Sequence, residues 1–356
     1  MATVSRKILS TLVISGIGAG ALFGCGGGSS QIVTTYVQDG YTVTFREYPV
    51  PVASNNSNFY PKGSWPDDLD GDDQGNIWFA QHHSNEIGRM SPNGAYTGFH
   101  VPTADGSMDG IAVDNVRHIV WVSEVDGNKI VRIDILTGAL IELSVPTPNS
   151  SPGDLSVAPD GTVWFTEGYE AGAGRLGRID PITNVITEVP FPSPRGGLDG
   201  IKVDGAGNVW FVELRDNRIG RYSGGTFDEF TLPQFNVVPT NLSLDSAGRV
   251  WVTEQGAGAI AVLDPVARTW KEYSLGTSTP LPAGIAVDAQ NNVWFTEFNG
   301  NKIGFLPAGG IAPEEFLIPT TDSGPEDIHF IAGKIWFTEQ YGNKIGQITV
   351  TTPAPR

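Results

Sequence analysis

Apolar and polar residues alternate along most of this chain in short runs, broken by clusters of Asp, Gly and Asn. Period-two runs bounded by turn residues predict short half-buried strands rather than helices. One run recurs seven times: a tryptophan, an apolar residue, any residue, then Glu. The tryptophans are Trp78, Trp121, Trp164, Trp210, Trp251, Trp294 and Trp336, spaced 43, 43, 46, 41, 43 and 42 residues apart. Six runs end in Glu (Glu124, Glu167, Glu213, Glu254, Glu297 and Glu339), and Gln81 stands in the first.

Each repeat has the same internal order. An alternating strand (DGIAVD at 109–114, DGIKVD at 199–204, AGIAVD at 283–288) precedes a turn and the W-F-x-E strand. A Gly-Asn turn, an NKIGR-like third strand and a fourth strand of pattern x-E-[FYV]-x-[LV]-P follow. Four antiparallel strands in roughly 43 residues make one propeller blade. The first fourth-type strand (Phe45–Pro49) precedes the first tryptophan, and the last repeat stops after its third strand near Val350. Residues 42–50 should therefore pair with 343–350 and close the ring, removing the exposed edges of a linear array. The expected fold is all-β: one seven-bladed β-propeller over residues 41–350, with a tail at 351–356. Its tryptophans are expected to be core between blades.

Composition agrees with this and adds a charge. The chain of 356 residues has 45 Gly and 25 Pro, which serve as turn punctuation, and only 17% charged residues. Its 39 acids against 22 bases leave a net charge of −17, which excludes nucleic acid and anionic membrane surfaces as partners. A single cysteine excludes a disulfide framework and a Cys-based zinc site.

That cysteine gives an address. Residues 1–24 carry Arg6 and Lys7 and then an apolar stretch from Ile8 to Phe23, the pattern of a secretory signal. The stretch ends at Leu22-Phe23-Gly24-Cys25, which resembles a bacterial lipobox with Cys25 as the acylated residue. Residues 25–40 then read as the acylated cysteine and a flexible tether. The protein is expected as a monomer on the extracytoplasmic side, touching the membrane only through its lipid anchor.

Antiparallel geometry places the start of each first strand beside the end of the second. One mouth of the channel is thus expected to gather Asp67, Asp68, Asp109, Asp154, Asp199, Glu326, Asp327 and the six repeat glutamates, a third of the 39 acids. Close like charges call for protons or cations, and Mg²⁺ or Ca²⁺ suits oxygen ligands. Glu339, Glu297, Glu326 and Asp327 are the candidate metal ligands. In the alternative, the glutamates pair with the base five residues on (Glu124/Lys129, Glu213/Arg218, Glu297/Lys302, Glu339/Lys344) and are structural.

The repeated GIAVD, GNVWFTE, NKIGR and E-x-x-L-P segments resemble the virginiamycin B lyases (streptogramin lyases) across all seven repeats. The resemblance implies a seven-bladed propeller that opens the ester-bonded ring of type B streptogramins by elimination, with Mg²⁺. It also implies histidines in a P-H-[AG]-I motif on two adjacent inner strands, a Glu just before one of those motifs, and a W-F-x-E glutamate. Here the two motif positions read Pro282-Ala283-Gly284-Ile285 and Pro325-Glu326-Asp327-Ile328, and the preceding Glu is Gly324. Only Glu339 survives. The equivalent positions elsewhere hold Asp67, Asp109, Gly153, Asp199 and Thr240, so no other blade supplies the histidines. Streptogramin lyase activity is not expected.

The histidines are His82, His83, His100, His118 and His329. His82 and His83 follow Gln81 on the acidic side and, with Glu339, are the candidate catalytic residues. His329 is expected to be a packed, hydrogen-bonded residue of an inner strand. The run from Asp68 to Asp73 hints at a calcium loop but lacks the central Gly and final Glu of an EF-hand. Two functions remain open. One is a binding module taking a small molecule, glycan or protein at the acidic mouth. The other is a divalent-metal-dependent lyase or hydrolase acting on a small ester, lactone or glycan.

Overall fold

The structure, a computed structural model, describes residues 31–38, 40–52, 63–168, 174–192, 197–276 and 279–351. The signal segment and Cys25 lie outside the described residues. Within them the chain forms twenty-nine strands, β1–β29 in chain order, and no helix. They make seven antiparallel sheets, six of four strands and one of five. This is the seven-bladed β-propeller the repeat predicts.

The closing blade is built from both ends of the chain. β2 (Tyr41–Pro49) pairs with β29 (Lys344–Thr351), from Thr42 opposite Thr351 to Pro49 opposite Lys344. The tether reading needs one correction. Residues Ile32–Gln38 form β1, a fifth strand paired along β2 from Ile32–Glu47 to Gln38–Tyr41. The alternating Ile-Val-Thr-Thr-Tyr-Val run has strand character, and Tyr36 stacks on the buried Phe45 at 6.2 Å.

The seven repeat tryptophans are core, each at most 8% exposed. Where a D-x-x-x-N or D-x-x-x-R turn precedes, their indole N–H donates to its aspartate, as Trp78 does to Asp72 at 2.9 Å. Asp72 also accepts from the Gln74 and Asn76 amides and the Asn76 side chain, so the calcium-like run is the end of a strand, Pro66–Gly71, followed by a hairpin turn in which the Asp72 carboxylate is already satisfied.

A size exchange fixes the blade interior. Phe79, Phe165, Phe211, Phe295 and Phe337 face Gly88, Gly177, Gly220, Gly304 and Gly346 across the sheet. A methyl group on any of these glycines would fall 2.0–2.2 Å from the ring. In the two blades where Val122 and Val252 replace the Phe, the partners are Val131 and Ala261. Volume is conserved pair by pair, as close packing demands.

Candidate functional site

The channel is lined by the innermost strands: β3 (Pro66–Gly71), β7 (Met108–Asp114), β11 (Pro152–Val157), β15 (Leu198–Val203), β19 (Pro239–Leu244), β23 (Pro282–Val287) and β27 (Pro325–Ile331). In all seven, the pairing register slips between the first and fourth residues, as between Pro66 and Leu69 or Pro325 and Ile328. Such a bulge re-aims side chains. Here it turns two consecutive residues toward the channel, so Asp67 with Asp68 and Glu326 with Asp327 line the same cavity, of about 90 Å³.

In the second, fifth, sixth and seventh blades the amide freed by the bulge is held by the Ser or Thr just before the repeat glutamate. Asn241, Gly284 and Asp327 amides donate to Thr253, Thr296 and Thr338 hydroxyls at 3.0, 2.8 and 3.0 Å. Each hydroxyl donates onward to the next blade's carbonyl, Thr253 to Ala283, Thr296 to Glu326 and Thr338 to Asp67, at 2.8, 2.6 and 2.7 Å. One threonine thus closes a bulge and clasps two blades.

The third residue of each inner strand forms a ring: Asp68, Gly110, Asp154, Gly200, Asn241, Gly284, Asp327. Asp68 accepts from the Leu69 amide and, across the blade boundary, from the Ile111 amide, both at 2.7 Å. Asp154 repeats this with Leu155 at 2.7 Å and Ile201 at 3.0 Å. Glycine in between is required, because a Cβ on Gly110 would sit 2.6 Å from the Asp154 Cα. An alternation cannot close over seven positions, so Asp327 and Asp68 become neighbours. His329, two residues along β27, lies there, with Nε2 3.2 Å from Asp327 Oδ2 and 3.9 Å from Asp68 Oδ1.

These groups titrate against each other. Burial, then Asp327 and Asp154, push Asp68 well above the carboxylate range. Burial also works against charge on Asp327, but His329, the Asp68 hydrogen bond and Lys202 hold it below its ordinary value. Lys202, on β15, is resisted by burial yet raised to about 12 by Asp154, Asp68, Asp327 and Asp70. It belongs to a second chamber of about 290 Å³ with Asp70, Ser156, Ser243 and His329.

The second residues form the outer ring of Asp67, Asp109, Asp199 and Glu326. Burial and then neighbouring carboxylates raise Asp109 to about 7 and Asp199 and Glu326 well above their ordinary values. His82 joins this ring, its Nδ1 3.4 Å from Asp67 Oδ2 and 3.2 Å from the Met108 carbonyl. Burial would lower its pKa, but Asp67 and Asp109 lift it to about 9. His83 instead stacks on Trp65 at 4.0 Å and is lowered to about 4 by burial and by His82.

The expectation for the repeat glutamates is corrected. They reach the right end of the blade, Glu124 opposite Met108 and Glu339 opposite Pro325, but the wrong face. All six are 0–1% exposed and absent from the channel lining. Nor do the bases on the third strand settle on them. Lys129, Arg218 and Lys302 bond Glu142, Glu229 and Glu315 of the fourth strand, each at 2.6 Å. Burial and then the fourth-strand glutamate raise Glu124 to about 7 and Glu167 and Glu213 to about 8, and leave Glu339 well above its ordinary value. Of the four predicted metal ligands, Glu326 and Asp327 line the channel, while Glu297 and Glu339 are buried elsewhere. The Mg²⁺ site implied by the resemblance does not fit these residues, since Ala283 and Gly324 offer no ligand atom and Glu339 faces Glu47. Two other groupings, Asp67–His82–Asp109 and Asp68–Asp327–His329, bring ligand atoms within 4.8 Å of one another.

Fold and site together define a seven-bladed propeller whose inner strands bring Asp67, Asp68, Asp109, Asp154, Asp199, Glu326 and Asp327 to one cavity. The chain belongs to the virginiamycin B lyase family, whose model matches residues 53–270 and 200–354. It is similar to the selenomethionine-substituted virginiamycin B lyase from Staphylococcus aureus, at 27% identity and a TM-score of 0.77 over 86% of this chain and 100% of that one. It resembles a streptogramin B lyase at 25% identity and a TM-score of 0.78, covering 87% and 98% of the two chains. A catalytically inactive histidine-to-alanine S. aureus lyase with quinupristin matches at 27% identity and a TM-score of 0.77, covering 87% and 100%. The chain has no significant match among curated protein sequences.

Proposed function

We propose that this protein is a lipid-anchored, extracytoplasmic binding member of the family that takes a small molecule at its acidic channel mouth. One observation carries the reading. The positions implied for catalytic histidines hold Ala283 and Glu326, while Asp67, Asp109, Asp199 and Glu326 converge on the same opening. An elimination needs a base poised near neutral pH. His82, at about 9, carries its proton there and serves as a hydrogen-bond donor instead.

The Asp67–His82–Asp109 grouping favours the second reading, a divalent-metal-dependent lyase or hydrolase of a small ester, lactone or glycan. Quinupristin and a panel of esters and lactones, incubated with the protein with and without Mg²⁺ or Ca²⁺ and followed by chromatography, separate the two. The binding reading expects no metal-dependent turnover of any of them. Turnover that needs the metal and disappears in His82→Ala overturns it. The anchor has its own test: Cys25→Ser should be found unlipidated and released from membranes.

A further inference from the structure

An aromatic arc borders the acidic mouth on one side. Phe298 meets Tyr341 edge-on at 5.2 Å, Tyr341 meets Trp65 edge-on at 5.2 Å, and Trp65 lies against His83 at 4.0 Å. These rings come from three successive blades. Phe298 and Tyr341 follow the second strands of the sixth and seventh, Trp65 precedes β3, and His83 follows the second strand of the first. The corresponding segments of the second, fourth and fifth blades read Val125-Asp126, Leu214-Arg215 and Gln255-Gly256, with no aromatic ring.

The arc is tied to Asp67 through neighbours of two of its members. Gln340, beside Tyr341, donates to Asp67 Oδ1 at 3.0 Å, and His82, beside His83, contacts the other Asp67 oxygen. Gly324, two residues before Glu326, packs so closely that a Cβ would fall 2.9 Å from the Tyr341 ring and 3.3 Å from Phe298. Tyr341 is about half exposed, at 51%. Aromatic faces beside a surplus of carboxylates attract a cation with apolar substituents, through the ring quadrupole and through Coulomb attraction. A small hydrated divalent ion makes no use of such rings, and an anion is repelled.

We infer that the mouth takes an aryl-substituted organic ammonium ion, its charge beside Asp67 and Asp109 and its ring against Tyr341 and Trp65. The inference rests on the binding reading above and names the ligand class for it. Calorimetric titration of the whole chain with benzyltrimethylammonium, tetramethylammonium, benzyl alcohol and Mg²⁺ tests it. Benzyltrimethylammonium should bind about tenfold more tightly than uncharged benzyl alcohol and measurably more tightly than tetramethylammonium. Tyr341→Ala should weaken it about two- to fivefold, and Tyr341→Phe should not. Equal binding of benzyl alcohol, or indifference to Tyr341→Ala, overturns the ligand class. If Mg²⁺ or tetramethylammonium still saturates the mouth in that case, the binding reading stands. If no cation binds, both fall.

Discussion

Asp68 and Asp327 stand side by side in the channel because the ring of Asp and Gly has an odd number of places. Asp68 and Asp154 each reach over the glycine of the next blade to accept its neighbour's amide. Asp327 cannot, since the next position already holds Asp68, and His329 compensates at 3.2 Å.

His329→Leu should therefore be costly. A depressed Asp327 contributes stability above the unfolded carboxylate pKa, and that contribution is lost as pH falls through its lower folded value. Removing the imidazole leaves two neighbouring buried carboxylates short of a partner, a loss of about 2–4 kcal/mol at pH 8. Urea denaturation should show a smaller loss at pH 5, since a lower pH favours the neutral form of the raised Asp68, and recovery when Asp327→Asn is added. Equal loss at both pH values would contradict this account.

Glu326→Gln should act in the opposite sense. Burial and then Asp67, Asp327, Asp109 and Asp199 raise the Glu326 pKa. A raised carboxylate opposes folding increasingly as pH climbs from its unfolded value near 4.3 towards the folded one. The variant should be more stable than the parent at pH 8 and equal to it at pH 4. A destabilised variant at pH 8 would show that the carboxylate makes favourable contacts instead.

Blade five lacks the cation of its neighbours. Opposite Glu254, where Lys129, Arg218 and Lys302 stand in other blades, is Ala259. Glu254, fully buried, is raised to about 7 by burial and by Glu272. Ala259→Lys should pair with Glu272 and lift stability by about 0.5–1.5 kcal/mol at pH 8. The gain should disappear at pH 4, as thermal melts at the two pH values would reveal.

Thr338→Val keeps the shape of the clasp between the seventh and first blades and removes its hydroxyl. The Asp327 amide and Asp67 carbonyl then lose their partner, which should lower stability by about 1–3 kcal/mol in denaturant titration. No loss would mean that the blade boundary is held by apolar packing alone.

Truncation should separate the two N-terminal strands. Without residues 1–40 the ring still closes through β2, and the melting temperature should fall by only a few degrees. Without residues 1–51 the last blade loses the strand opposite Lys344–Thr351, and the product should aggregate on size exclusion. Equal behaviour of the two truncations would place the closure elsewhere.

Blade number, strand order and ring closure were legible because each repeats a signal: Trp, turn and the final x-E-x-x-L-P run. The acidic mouth was half legible. Antiparallel pairing places Glu124 beside the start of β7, but strand periodicity does not show that a bulge turns Asp109 into the channel and leaves Glu124 on the blade face. Lys202 has no sequence signal as a site residue, because it lies three positions deeper than Asp199, where other blades carry Ala112, Ser156 or Ser243. The segment that forms β1 reads as tether because nothing in the repeat calls for a fifth strand. The aromatic arc had a faint signal, the aromatic and histidine residues just after Glu297, Gln81 and Glu339, which becomes a site only when three blades are seen together.

The inner-strand bulge has a consequence for how such a mouth can diversify. Each inner strand offers two adjacent positions to the channel, while the backbone bonds that hold the blade are made by amides and, in four blades, by a serine or threonine on the next strand. Residue pairs as unlike as Asp67-Asp68, Thr240-Asn241 and Ala283-Gly284 occupy the same frame. The opening is therefore a set of exchangeable two-letter words on a fixed page, and one family can change its ligand without renegotiating its fold.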